Sequence, residues 1–184
     1  MIVLMAGLPG TGKTTLAREL VRRAQGALLS KDEIRAALFA PADSTQNRSG
    51  QNDSPQNDIE YSVNQDDFVM EIMLQAALFL LHKDPARKVF LDGSTFSRCY
   101  QIERVLNFAD ELAQPVRIIE CTCTDQSDRQ RLEFNPDPSH PARNRTFALY
   151  LEVKSRFQPI LYPKTTINTD APIENCVQQA LAFL

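Results

Sequence analysis

Short apolar runs alternate along this chain with longer segments of helical periodicity. The apolar runs at 2–6, 27–29, 88–92, 116–122 and 165–168 predict strands, and the segments near 13–24, 31–39, 62–83, 98–113 and 173–183 predict helices. Two more helices are predicted near 125–133 and 144–157. This alternation is the signature of βα units on a parallel sheet. The helix over 62–83 is apolar almost all round from Phe68 to Leu81, so it is expected to be largely buried. Ser62 and Gln65 have the spacing of a capping box at its start, and Pro85 stops it.

Residues 41–58, PADSTQNRSGQNDSPQND, break the pattern: they contain no Val, Ile, Leu, Phe or Met. Such a segment cannot bury enough apolar surface to offset its ordering entropy. It is expected to be a mobile polar loop at the rim of the site, with a surface insertion without function as the alternative. The remaining periodic segments fit a single domain spanning 1–184, without internal repeats.

Charge and cysteines narrow the function classes. A formal net charge of −3 offers no bulk attraction for nucleic acid or for an anionic membrane. Cys99, Cys121, Cys123 and Cys176 match no zinc spacing and read as buried reduced thiols. The chain enters Ile2-Val3-Leu4-Met5-Ala6 without a basic start, and no segment approaches the roughly 20 apolar residues that span a bilayer. A cytoplasmic protein with no membrane partner is the expectation.

The most specific feature is Gly7-Leu8-Pro9-Gly10-Thr11-Gly12-Lys13-Thr14, which fits G-x-x-x-x-G-K-[ST] without a gap. It follows a predicted strand and opens a predicted helix, the context in which this motif cradles phosphate. Glycines let the backbone curl so that successive N–H groups face the phosphates, and the helix terminus adds partial positive charge. Lys13 is expected at the β- and γ-phosphates of ATP and the Thr14 hydroxyl on magnesium, with Thr15 completing the nucleotide site.

Two acids follow from strand ends. Asp92 closes Lys88-Val89-Phe90-Leu91-Asp92, the usual place of a magnesium-holding carboxylate, although an Asp-Gly turn is the simpler alternative. Gly93-Ser94-Thr95 follow it, with no Glu of the kind that activates water in motor ATPases, which favours transfer to an acceptor. In Ser30-Lys31-Asp32-Glu33-Ile34-Arg35, Ser30 and Glu33 have capping-box spacing. Asp32 and Arg35 are neighbours on one helical face. An Asp at a strand's carboxyl end beside the cradle is well placed to take an acceptor's proton; alternatively it only complements the helix dipole.

Together these segments resemble the P-loop kinase-like AAA_33 family, whose relatives include polynucleotide 5′-hydroxyl kinase, chloramphenicol phosphotransferase and zeta-toxin-type kinases. The resemblance covers nearly the whole chain outside 41–58. It implies a three-layer α/β P-loop NTPase of the nucleoside/shikimate-kinase-like type, with a five-stranded parallel sheet and a small arginine-bearing lid near 125–157. It further implies that Asp32 is the general base and Arg35 an acceptor-site arginine. Lid arginines are expected among Arg129, Arg131, Arg143 and Arg145, with Arg131 acting in catalysis and Arg129 and Arg145 on the nucleotide. His82, His140, Lys154 and Arg156 receive no role. Asn168-Thr169-Asp170 lies in the loop that flanks adenine in this architecture, although Asp170 and Pro172 read first as a helix start.

The resulting expectation is an ATP- and magnesium-dependent phosphotransferase acting on an acceptor hydroxyl, small-molecule before nucleic-acid 5′-end. The alternative class is a P-loop ATPase or switch working through a protein partner. Specificity for an acceptor lives in loops without a portable motif.

Overall fold

Strands β1 (Ile2–Ala6), β2 (Ala27–Ser30), β3 (Val89–Asp92), β4 (Val116–Thr122) and β5 (Lys164–Asn168) form one parallel sheet in the order β2-β3-β1-β4-β5. The computed structural model describes residues 1–39, 63–134 and 146–184. The polar segment 41–58, the Ser62 cap, His140, Arg143 and Arg145 therefore lie outside the described residues.

Between and after the strands run α1 (Lys13–Ala24), α2 (Lys31–Phe39), α3 (Val63–Lys83), α4 (Cys99–Glu111), α5 (Asp125–Arg129), α6 (Phe147–Ser155) and α7 (Ile173–Phe183). Helix α5 continues into a π-helical turn over Gln130–Phe134, where one regular helix over 125–133 was expected.

The central strands are apolar on both faces because both faces are covered. Ile2 and Leu4 join Leu91 and Ile118 against α3 and α4, while Val3 and Met5 join Phe90 and Ile119 against α1 and α7. Helix, sheet and helix thus make three layers. Register fixes what meets at the carboxyl edge: Ser30 stands opposite Asp92, Ala6 opposite Glu120, and Thr122 opposite Asn168.

Helix α3 corrects one expectation. Val69, Met70, Met73, Leu74, Ala77 and Leu81 are buried, a stripe of helical spacing laid on the sheet. Phe68 and Phe79 instead remain 53% and 60% exposed, so an apolar composition all round did not bury the whole circumference. The helix covers the sheet from one side, and a single contact stripe cannot shield its far face. Among the described residues no helix is long and apolar enough to cross a membrane.

The two-faced core yields a contrast that denaturation can read. Leu91→Ala, at a fully buried position in β3, is expected to cost about 2–5 kcal/mol in urea unfolding. Leu161→Ala, at a position 85% exposed, is expected to stay within about 0.5 kcal/mol of the parent. Equal losses at the two positions would contradict this core.

Candidate active site

The cradle begins where β1 ends. Gly7 donates its N–H to the Thr95 carbonyl at 3.2 Å. With φ at 132°, it passes so close to the Cys121 carbonyl that a Cβ would collide with it. Gly12, at φ 78°, is the N-cap of α1, whose first amides have no intrahelical acceptor. The Lys13 ammonium lies within the loop and donates to the carbonyls of Gly7 at 2.9 Å and Leu8 at 2.7 Å. Thr11 turns its hydroxyl onto the Leu8 carbonyl at 2.8 Å.

This loop opens onto a cavity of about 610 Å³, within the range of small-molecule sites. Pro9, Gly10, Gly12, Lys13, Thr14 and Thr15 line it, whereas Gly7, Leu8 and Thr11 shape the loop from outside the lining. The strand order divides the rest of the wall. Lys31, Asp32, Asp66 and Ser94 come from the β2–β3 side, and Arg131, Thr169 and Ile173 from the β5 side.

Asp92 is fully buried, and among the described residues neither carboxylate oxygen has a hydrogen-bond partner. Such a charge is costly unless a cation balances it. Burial pushes the Cys121 thiol up to about 12, while Lys13 opposes that rise and Asp92 adds to it, which puts Asp92 and Lys13 in one electrostatic neighbourhood. Among the described residues no group of three or more His, Cys, Asp or Glu side chains is arranged to hold a metal. One orphaned carboxylate and the Thr14 hydroxyl of the cradle are nevertheless donors of the kind suited to magnesium, which takes most of its oxygens from phosphate and water. The residues present fit that ion.

Helix α2 starts as the spacing predicts. The Ser30 hydroxyl accepts from the Glu33 N–H at 3.3 Å, but the Glu33 carboxylate turns to Arg18 at 3.2 Å instead of closing the box. Asp32 is half-buried and lines the cavity. Gly93, at φ 86°, supports this start from below: a Cβ there would stand 3.0 Å from the Asp32 nitrogen and 3.1 Å from the Lys31 Cβ.

Arg35 does not reach the cavity lining. Its guanidinium is 3% exposed and pairs with Asp66 of α3, behind the wall. Lys31 pairs with the same carboxylate at 3.3 Å. Burial pushes the Lys31 ammonium down to about 8, with the charge of Asp32 opposing that fall. Sequence reading assigned neither Lys31 nor Asp66 a role, because lone charges at helix starts look like dipole complements.

On the β5 side, Thr169 is a hub. Its hydroxyl lies 2.9 Å from the Thr11 carbonyl and 3.2 Å from that of Thr122, and it accepts from Arg131 at 3.0 Å. Arg131 also donates to the Thr169 carbonyl at 2.9 Å and the Gly10 carbonyl at 3.3 Å. Pro172 is the N-cap of α7, without a side-chain cap bond, while the Asp170 carboxylate does not cap that helix but accepts from the Thr124 N–H at 2.9 Å; Thr169 lines the cavity.

Arg129 is turned away from the cavity, paired with Glu133 at 2.8 Å and lying over the Phe147 ring. Arg156, given no role from sequence, lines the cavity, as do Arg18 and Arg98. Asp128 was also missed: it is fully buried against the loop, where a Cβ on Gly10 would strike its carboxylate. Its only sequence signal is the helix start at Thr124, whose hydroxyl accepts from the Ser127 N–H at 3.2 Å. Cys121 and Cys176 are buried as expected, while Cys99 and Cys123 are only half-buried.

The sequence profile of the AAA domain family AAA_33 matches residues 2–160. No curated protein matches the chain by sequence. Among solved structures, a Chloroflexus aurantiacus protein assigned as a kinase superposes with a TM-score of 0.69 at 21% identity, covering 100% of this chain and 97% of that one. The Mycobacterium tuberculosis APS kinase CysC in complex with AMPPNP and APS gives 0.66 at 15% identity, with 99% and 95% covered. Chaetomium thermophilum Kti12 in complex with ADP-AlF3 gives 0.64 at 13% identity, with 100% and 98% covered. The fold is that of the P-loop kinases.

Gly93 offers a test of how the wall is built. Gly93→Ala places a Cβ at a left-handed position against the backbone of Asp32, and is expected to cost about 1–3 kcal/mol in urea unfolding. An unchanged midpoint would mean that α2 is not seated on this glycine.

Proposed function

This chain belongs to the AAA domain family AAA_33, and from that premise we propose that it is an ATP- and magnesium-dependent kinase transferring the γ-phosphate to a hydroxyl of a small molecule. The observation that carries this reading is one cavity lined both by Gly10, Gly12, Lys13 and Thr14 of the cradle and by Asp32. In this reading donor and acceptor would share one cavity. AMPPNP and ADP-AlF3 in the structural neighbours support a nucleotide in the cradle. The net charge of −3 supports a small acceptor over a polynucleotide.

In this reading the loop amides and the α1 terminus hold the β- and γ-phosphates, and Lys13 exchanges its two carbonyl partners for phosphate oxygens. Thr14 and Asp92 are the residues that would hold magnesium, which when bound supplies charge neutralisation on the phosphates. The acceptor oxygen attacks the γ-phosphorus in line, its proton passes to an Asp32 carboxylate oxygen, and the bond to ADP breaks. Catalysis then rests on positioning and charge, as is general for phosphoryl transfer. Arg131, tied to Gly10 and Thr169, braces the cradle from the nucleotide side.

Screening metabolite pools and 5′-hydroxyl oligonucleotides with labelled ATP tests the acceptor class. With the acceptor found, Lys13→Met should cut transfer by several orders of magnitude while the protein stays folded. Wild-type turnover by that variant would refute the kinase reading. Asp32→Asn is expected to lower kcat by roughly 10²–10⁴-fold with ATP affinity within a few-fold of the parent. If only melting temperature moves, Asp32 is a helix-start residue and not the base.

A further inference from the structure

The loop over 93–98 leaves the carboxyl end of β3 and carries Arg98 to the N-cap of α4. Its path is strained. Phe96, only 1% exposed, holds φ at 49°, a left-handed angle that a bulky side chain resists. Such strain persists where the surrounding packing enforces it, and it gathers at ligand sites. The residues after Phe96 are pinned from both sides. Gln158, just beyond α6, donates its N–H to the Ser97 carbonyl at 2.9 Å and accepts from the Cys99 N–H at 2.8 Å. The Arg98 N–H donates to the Gln101 side chain at 3.3 Å. The backbone of Arg98 is thereby fixed, and the residue lines the cavity.

The Gln158 stitch also ties in a second cation. Arg156, two residues before Gln158, lines the same cavity. The lining cations differ in what holds them. Arg18 is paired with Glu33, Lys31 with Asp66 and Arg131 with Asp170, while Lys13 lies within the cradle. Arg156 meets Glu152 at 3.4 Å, in an exposed pair one helical turn apart, of the kind that contributes little. The Arg98 side chain is half-buried, and among the described residues no acid is paired with its guanidinium. A guanidinium so placed offers a planar fork to a carboxylate or a phosphate.

Strand order decides which ligand this fork serves. Strand β3 lies between β2 and β1, so its loop stands on the Asp32 side of the cradle, away from Thr169 and Arg131. Gly93 of the same loop sits under the start of α2 at Asp32. The chain carries a net charge of −3, yet the cavity lining holds six cations against two acids, Asp32 and Asp66. We infer that Arg98, seconded by Arg156, binds an anionic group of the acceptor: the substrate carries a carboxylate or a phosphate in addition to the hydroxyl that it offers to Asp32. This inference rests on the kinase reading and on Asp32 as the base. Arg98 attracts the anionic group and Asp32 repels it, which fixes the end of the acceptor that faces the γ-phosphate.

The site is read first without turnover. The full chain, saturated with AMPPNP and magnesium so that the cradle is filled, is titrated with acetate and with methyl phosphate. Arginine Nε–H NMR signals report binding, with Arg98 assigned from Arg98→Gln. At least one anion is expected to shift the Arg98 signal saturably, and the tighter of the two identifies the group. The signal of Arg22, an exposed arginine outside the lining, should stay in place. In Arg98→Gln, followed on the Arg156 signal, the dissociation constant should rise roughly 10–100-fold. Arg98→Lys, which keeps the charge and loses the fork, should lose less. An Arg98 signal that neither anion moves, or one that only drifts with that of Arg22, overturns the inference. So does an AMPPNP affinity that falls in Arg98→Gln as far as anion affinity does, because the arginine would then serve the nucleotide. Labelled-ATP assays on neutral polyols and on their carboxylate and phosphate-ester forms separate the two levels. An anionic acceptor whose KM rises roughly 10–100-fold in Arg98→Gln, with a smaller change in kcat, is the expected result. A neutral acceptor used equally well by Arg98→Gln overturns the inference and leaves the kinase reading standing. Absence of transfer to every compound counts against the kinase reading, while the anion site stands or falls by the titration.

Discussion

The rest of this structure depends on how β1 ends. The strand sits at the centre of the sheet, laddered to β3 on one side and β4 on the other, and all five of its residues are buried. Its last residue is followed at once by a loop that turns into α1. A chain leaving a strand so tightly held can curl back only through backbone angles that side chains resist, and Gly7, Gly10 and Gly12 all take positive φ. The collision awaiting any Cβ at Gly7 shows that the neighbouring strand, as well as the turn, demands glycine there. Sheet packing and phosphate cradle are therefore one construction: the layers fix β1, and β1 aims the amides.

Around that cradle the protein keeps more buried charge than stability favours. Asp92, Asp128, Lys31 and Arg35 are each nearly or wholly shielded from water. An uncompensated buried ion costs several kcal/mol, and ion pairs repay this only in good geometry. Such groups persist where function needs them. Two of them are held across elements, Lys31 and Arg35 by Asp66, and Asp128 lies under the loop at Gly10. Of these four, Lys31 lines the cavity, and the others lie behind its wall.

The two sides of the cavity differ in how they are secured. On the β5 side, Thr169, Arg131 and the carbonyls of Gly10, Thr11 and Thr122 are tied by short hydrogen bonds. On the β2–β3 side the ties are ionic, running from α2 to α3 and from α3 to α4.

Strands, helices and cradle were legible in the sequence because each depends on neighbours in the chain. Apolar runs mark strands buried on both faces, and the Gly7–Thr14 motif works through contiguous amides and one lysine, so its spacing alone identifies it. The Ser30 cap and the strand-end position of Asp92 are local in the same sense. Side-chain meetings across elements were not legible. Nothing in the spacing says that Asp66 takes Arg35, that Arg131 braces Gly10 while Arg129 turns outward to Glu133, or that Asp128 lies beneath the loop. A charge on an amphipathic helix reads the same whether it faces water or a buried partner. Only the packing of α2, α3 and α5 against the sheet decided which charges were removed from water and which were left in it.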